Sequence, residues 1–150
     1  MQESPPMLDM LKRQPLVSDI DLSDINIIQF ILNGIPAKAM DYHHSICIGV
    51  FFIERKMISN SVIQYITLML VALENTQDFA LQFNDGNWWL WGRYTLDNSE
   101  IIGSENQELS MKLEQIHAVI QHLSGLVATL NPSQSNALTK QKKHISKAIP

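Results

Sequence analysis

The residues that could do chemistry are few in this 150-residue chain, and their spacing works against it. His43 and His44 are adjacent, so on an extended backbone their side chains diverge to opposite faces rather than meeting on one metal ion. They read as an exposed turn pair. His117 and His122 lie five apart on a helical pattern, whereas a shared helix face needs a step of three or four. Glu105 and Glu108 are the nearest approach to paired carboxylates, but they fall in a first helical turn, where acids favour the helix dipole. The one cysteine, Cys47, excludes an intramolecular disulfide and a cysteine-rich zinc centre, and its apolar neighbours make it a small core hydrophobe. There is no G-x-S-x-G elbow, no glycine-rich phosphate loop and no Cys/His nucleophile pattern. The expectation is a chain with no catalytic residues, no metal site and no cofactor.

What the chain has in abundance is apolar and aromatic surface, and the elements carrying it can be read from their periodicity. All three tryptophans sit in FALQFNDGNWWLWGRYTL, two β-favouring runs flanking Asn84-Asp85-Gly86-Asn87. Asp-Gly at the centre supplies the positive-φ residues of a tight turn, so this is a β-hairpin. Alternation puts Trp88, Leu90, Tyr94 and Leu96 on one face and Trp89, Trp91, Arg93 and Thr95 on the other. One set is core; the other needs a helix, a second protomer or a bound peptide, because large bare apolar patches mark contact sites.

The remaining elements come in chain order. The first six residues are polar and proline-bearing. MLDMLKRQ, from Met7 to about Gln14, makes a short helix stopped by Pro15. Acidic spacers Asp19, Asp21 and Asp24 lead to INIIQFILNG, a strand apolar on both faces, then IPAKAMDY, whose Pro36 confines it to an edge or a strand start, and SICIGVFFIER. Short connections make these three an antiparallel meander. SNSVIQYITLMLVALEN is a helix with Ser59 or Asn60 as its cap. Val62, Ile66, Met69, Leu70 and Leu73 form one apolar face, while Ile63, Tyr65, Leu68 and Val71 add a second. A helix apolar nearly all round is either deep in a core or shared between subunits. After the hairpin, Ser104 and Gln107 form a capping box, and Leu109, Leu113, Ile116, Ile120, Leu123, Val127 and Leu130 make one packed helical stripe ended by Asn131-Pro132.

The expected architecture is therefore α+β: a three-strand meander plus a hairpin in one antiparallel sheet, packed with three helices in the order α-β-β-β-α-β-β-α. Residues 1–130 form one domain and 131–150 a basic tail. Hydrophobic residues make up 45% of the chain and charged residues 17%, an ordinary globular balance, and no apolar run is long enough to suggest membrane insertion. The start, MQESPPML, lacks the basic and apolar regions of a secretory signal, which points to the cytosol. The net charge is −4, every Asp and Glu precedes Asn131, and Lys140, Lys142, Lys143 and Lys147 come after it. An acidic body argues against nucleic acid and for solubility or a basic protein partner. Four lysines without arginine or interleaved aromatics are a weak nucleic-acid signal.

In element order, and in the stretch from Ser61 to Leu96 where an apolar helix runs into the Asp-Gly hairpin, the chain resembles the class I effector chaperones of bacterial type III secretion systems. That resemblance implies a homodimer joined through Val62, Ile63, Ile66, Met69, Leu70 and Leu73. It further implies binding of a secreted effector's N-terminal segment in extended form, along one patch from Leu8, Leu11, Ile28 and Phe30 and another from Trp89 and Trp91 with the last helix. The lysine tail would meet the secretion ATPase or an effector, or have no partner. The competing expectations are a regulatory or structural component of such a machine working as a heterodimer, and an enzyme or ligand sensor with a pocket between the sheet and the last helix.

Overall fold

A computed structural model describes residues 6–23, 26–42, 45–95 and 104–130, with side chains described from Leu8 and, in the last helix, from Glu108. The elements are α1 (Pro6–Lys12), β1 (Val17–Asp21), β2 (Ile28–Leu32), β3 (Ile35–Asp41), β4 (Ser45–Glu54), α2 (Asn60–Ala72), β5 (Phe79–Asn84), β6 (Asn87–Thr95) and α3 (Ser104–Leu130). The fold is the expected α+β class, with one strand more than the sequence reading supplies. The strands form a single antiparallel sheet in the order β1-β2-β3-β4-β6-β5. The hairpin thus docks through β6 against β4, leaving β1 and β5 as the two edges.

The turns are set by their residues. Asp85 and Gly86 have φ of +52° and +79°, and Asn33 and Gly34 have +46° and +88°. Both dipeptides adopt the paired left-handed conformation that matches strand twist in a two-residue hairpin. α1 ends where Gln14 donates its backbone N–H to Leu11 and Pro15 blocks continuation. The Ser59 hydroxyl accepts the Val62 N–H at 3.3 Å and caps α2. At the other end Leu73 turns extended, and the Thr76 hydroxyl donates to the Leu70 carbonyl at 2.9 Å, satisfying an otherwise orphaned helix-end acceptor.

All the core lies on one side of the sheet. Phe30, Ala37, Val50, Leu90 and Leu81 are cross-strand neighbours in one row, with Ala39, Ile48, Gly92 and Phe79 in the next. Against them pack Leu8 and Leu11 of α1, Val62, Ile63, Ile66 and Leu70 of α2, and the α3 stripe Leu109, Leu113, Ile116, Ile120, Leu123 and Val127. The α3 stripe is buried as its period predicts. Gly92 sits where this packing is tightest: a Cβ there would come within 2.7 Å of the Phe79 ring and 3.5 Å of Ile116.

Two local readings are corrected. Val17–Asp21, taken as an acidic spacer, is an edge strand whose register against β2 shifts between Ser18 and Asp21, where Asp19 has φ +52°. A charged, irregular strand of this kind is a common way of protecting a sheet edge. Glu108, read as helix-dipole charge, accepts a 2.7 Å hydrogen bond from the Tyr94 hydroxyl and ties α3 to β6. The capping-box pair Ser104 and Gln107, the turn pair His43-His44, Leu96 and the tail from 131 lie outside the described residues or side chains.

Candidate protein-interaction surfaces

The second face of the sheet carries no helix among the described residues. Its side chains fall into transverse rows fixed by the strand register. One row runs Asp21, Gln29, Lys38, Gly49, Trp91 and Ala80 across all six strands. Phe51, Trp89 and Gln82 belong to the next, and Met40, Cys47 and Arg93 to the row on the other side. Trp89 and Trp91, expected to be either core or used, therefore lie opposite the core, while Leu90 and Tyr94 fill it.

These tryptophans are sheltered mainly by their own sheet. Trp89 meets Phe51 edge-on with ring centroids 5.9 Å apart, and the Lys38 ammonium lies 4.2 Å above its ring, so only 8% of Trp89 is exposed. Such a cation–π contact both stabilises the ring and leaves a charge at the surface. The Trp91 indole lies across Gly49, whose missing side chain makes the room; a Cβ at that position would sit 2.7 Å from the ring. Trp91 Nε1 is buried and has no hydrogen-bond partner among the described residues. A buried donor left unpaired costs about 1–3 kcal/mol, so the indole is held in a position that something else must favour.

Two shallow hollows flank this aromatic centre. One, of about 460 Å³, is lined by Met40, Tyr42, Cys47, Ala80, Gln82 and Trp91. The other, of about 360 Å³, lies toward the β1 edge between Asp19, Asp21, Gln29, Ile31, Lys38 and Trp89. Cys47, taken from the sequence as core, is half-buried on the floor of the first. Strand alternation carried the signal: Ile46, Ile48 and Val50 share the core face, so Cys47, Gly49 and Phe51 had to face away. Met40, Phe51 and Lys38 were missed as surface residues for want of the same register.

The other expected binding residues divide differently. Leu8, Leu11, Ile28 and Phe30 are buried at 4%, 0%, 6% and 2% exposure, so they build the core beneath the sheet and present no patch. Of the six α2 residues, Val62, Ile63, Ile66 and Leu70 also point into that core; Met69 is half-buried and Leu73 exposed. The bare side of α2 is instead Tyr65, Leu68, Val71 and Leu73, with Leu68 71% exposed. Of the histidines, His117 Nε2 lies 3.3 Å from the Asn33 amide, and His122 is exposed. Among the described residues, no three His, Cys, Asp or Glu side chains converge as metal ligands would, and no helix is long and apolar enough to cross a membrane.

The class so defined is a small α+β protein with one sheet face under three helices, the other face open and aromatic, and an apolar helix side left bare. No family model matches the sequence. It is 32% identical over 108 residues to Salmonella pathogenicity island 2 protein C from two strains of Salmonella typhimurium, an overlap covering 70% of this chain and 80% of that protein. It is 31% identical over 102 residues to the SpiC homolog of Salmonella typhi, covering 66% of this chain and 80% of the homolog. The chain belongs to the family of Salmonella pathogenicity island 2 protein C.

Proposed function

We propose that this chain works without catalysis in bacterial type III secretion, in the cytosol, as a chaperone that holds the N-terminal segment of a secreted effector in extended form. The observation that carries the reading is the open sheet face, where Met40, Phe51, Trp89 and Trp91 gather around two hollows with no helix over them among the described residues. An extended chain lies naturally on or beside such a sheet. The β5 edge offers backbone hydrogen bonds, since β5 is paired on one side only, and the hollows offer side-chain selection. The pathogenicity-island relatives support a role in virulence secretion, and the element order supports the chaperone likeness.

In this reading two copies join through the outer side of α2, with Tyr65, Leu68 and Leu73 replacing the buried residues as the contact and Met69 at its border. The tail lysines are left for the secretion ATPase or the effector. Co-expression of the chain with secreted proteins of the same system tests the reading: a stable, co-purifying complex with the N-terminal segment of one of them is expected, and failure to retain any of them would reject it.

The bare α2 side also favours a second reading, a regulatory component whose α2 meets a different protein in a heterodimer. Purified alone, such a chain stays monomeric and loses solubility as concentration rises, whereas the homodimer has twice the chain mass by light scattering.

A further inference from the structure

The chemistry of the open face also selects the kind of segment it can hold, a deduction that rests on the proposed chaperone function. The two hollows differ. The one lined by Met40, Cys47, Ala80 and Trp91 is apolar in its floor, with Tyr42 and Gln82 at its rim. The one at the β1 edge carries two exposed carboxylates, Asp19 and Asp21, and an aromatic wall, Trp89. Its cation, Lys38, is turned onto the Trp89 ring. Two exposed carboxylates against that one ammonium leave the hollow net negative, so its Asp19–Asp21 end is complementary to a guanidinium or ammonium, while the first hollow suits an uncharged side chain.

The two are joined by one straight row, because Asp21, Gln29, Lys38, Gly49, Trp91 and Ala80 are successive cross-strand partners. At Gly49 that row has no side chain of its own and the indole of Trp91 lies flat over it, so a backbone crossing there would rest on a ring face and meet no projecting side chain. The unpaired Trp91 N–H lies on the same line. A slight tilt of the ring away from Gly49 would give that N–H to a peptide carbonyl and remove the cost of leaving it unbonded.

We propose that the open face reads a two-point pattern in an extended polypeptide: an apolar side chain in the Met40–Cys47–Trp91 hollow and an arginine or lysine in the Asp19–Asp21–Trp89 hollow. The β1 carboxylates lie three to four strand spacings from Cys47 on β4 and Trp91 on β6, about 14–19 Å, which an extended chain spans in about four to six residues. The partner is therefore a basic, apolar-spaced segment, matching the acidic surface it meets.

The test is selection of a random 12-residue peptide library against the full chain, with binding of selected peptides measured by fluorescence anisotropy. Selected sequences should share an apolar residue about four to six positions from an arginine or lysine. Ala80→Tyr, a strand-compatible change at an exposed position, fills the apolar hollow and should weaken binding about tenfold or more, a loss of roughly 1.4 kcal/mol. The double variant Asp19→Asn, Asp21→Asn should lose the preference for the basic residue and bind its alanine-substituted peptide as well as the parent; asparagine tolerates the positive φ at position 19. A random selection, no selection, or peptides that bind Ala80→Tyr and the native chain equally would overturn the proposal. Should a secreted protein co-purify with the native chain and with Ala80→Tyr alike, the chaperone reading stands and the two-point pattern fails. Peptides that bind as described while no secreted protein is retained would have the opposite meaning.

Discussion

Replacing Leu68 with aspartate separates the two sides of α2 more cleanly than any other single change. Leu68 is 71% exposed, so the protomer itself buries less than a third of it. Full burial of a leucine is worth about 1.5–3 kcal/mol, which leaves about 0.4–0.9 kcal/mol at stake within one protomer. The lower helix propensity of aspartate adds about 0.5 kcal/mol. In a homodimer joined along this side the residue counts twice. Loss of two leucine contacts, with two carboxylates brought into an apolar seam, removes about 4 kcal/mol or more, at least a 500-fold weaker association. The assay is light scattering over a hundredfold range of concentration, paired with urea denaturation at a concentration where the native chain is fully associated. The expected result is a dimer that the variant converts into folded monomers, with cooperative unfolding retained. Unfolding of the variant at every concentration would refute the assignment of Leu68 to the outside. A native chain that is monomeric throughout, and indifferent to the substitution, would refute the α2 seam.

Ile66→Ala supplies the opposite control. Ile66 is fully buried two residues away, so its truncation should cost about 2–5 kcal/mol in urea melts whatever the oligomeric state. Gly92→Ala forces a methyl into the Phe79 ring and should lower stability by about 1–3 kcal/mol, read from the denaturation midpoint. Gly49→Ala makes an equally close contact with Trp91, but on the open face, where the indole can swing outward. Its signature should be a red shift of tryptophan emission with a smaller loss of stability than Gly92→Ala, and equal losses would count against the open-face placement. Ser59→Ala removes the α2 cap and should cost about 1 kcal/mol by thermal or urea denaturation.

The parts of this fold that were legible in the sequence are those in which local chemistry leaves little choice. Asp85-Gly86 and Asn33-Gly34 dictate their turns, and the α3 stripe from Leu109 to Val127 has the helical period with nothing to compete with it. β1 was not legible, because Val17–Asp21 is half-buried only at its first and fourth residues, which breaks strand alternation, and it becomes a strand through hydrogen bonds that β2 provides. α2 posed a different difficulty. With apolar residues at 62, 63, 65, 66, 68, 69, 70, 71 and 73, its sequence gives almost no direction to the core. The choice of Val62, Ile63, Ile66 and Leu70 as the inward side is made by β5 and α3, which α2 packs against. The same uncertainty misled the reading of Leu8, Leu11, Ile28 and Phe30. Apolar residues that a small domain needs for its own core were allotted to a partner.

The two faces of the hairpin are distinguished by what fills the space over a glycine. Gly92 and Gly49 both sit mid-strand, and each would bring a Cβ to 2.7 Å from an aromatic ring. Over Gly92 the ring is Phe79, with Ile116 of α3 behind it, so the sheet is closed by another layer. Over Gly49 the ring is Trp91, a residue of the adjacent strand, and the next aromatic pair, Phe51 with Trp89, is again internal to the sheet. An aromatic layer that covers itself resolves the conflict the sequence raises. Trp89 can be 8% exposed with no helix over it among the described residues because the side chains of its own sheet lie against it. The arrangement keeps apolar area out of water, yet among the described residues it leaves one indole N–H unbonded and the sheet surface indented by two hollows, so the layer is sheltered without being close-packed. A face built for core packing would have no reason to carry that deficit, and a face built for solvent would have no reason to carry the tryptophans.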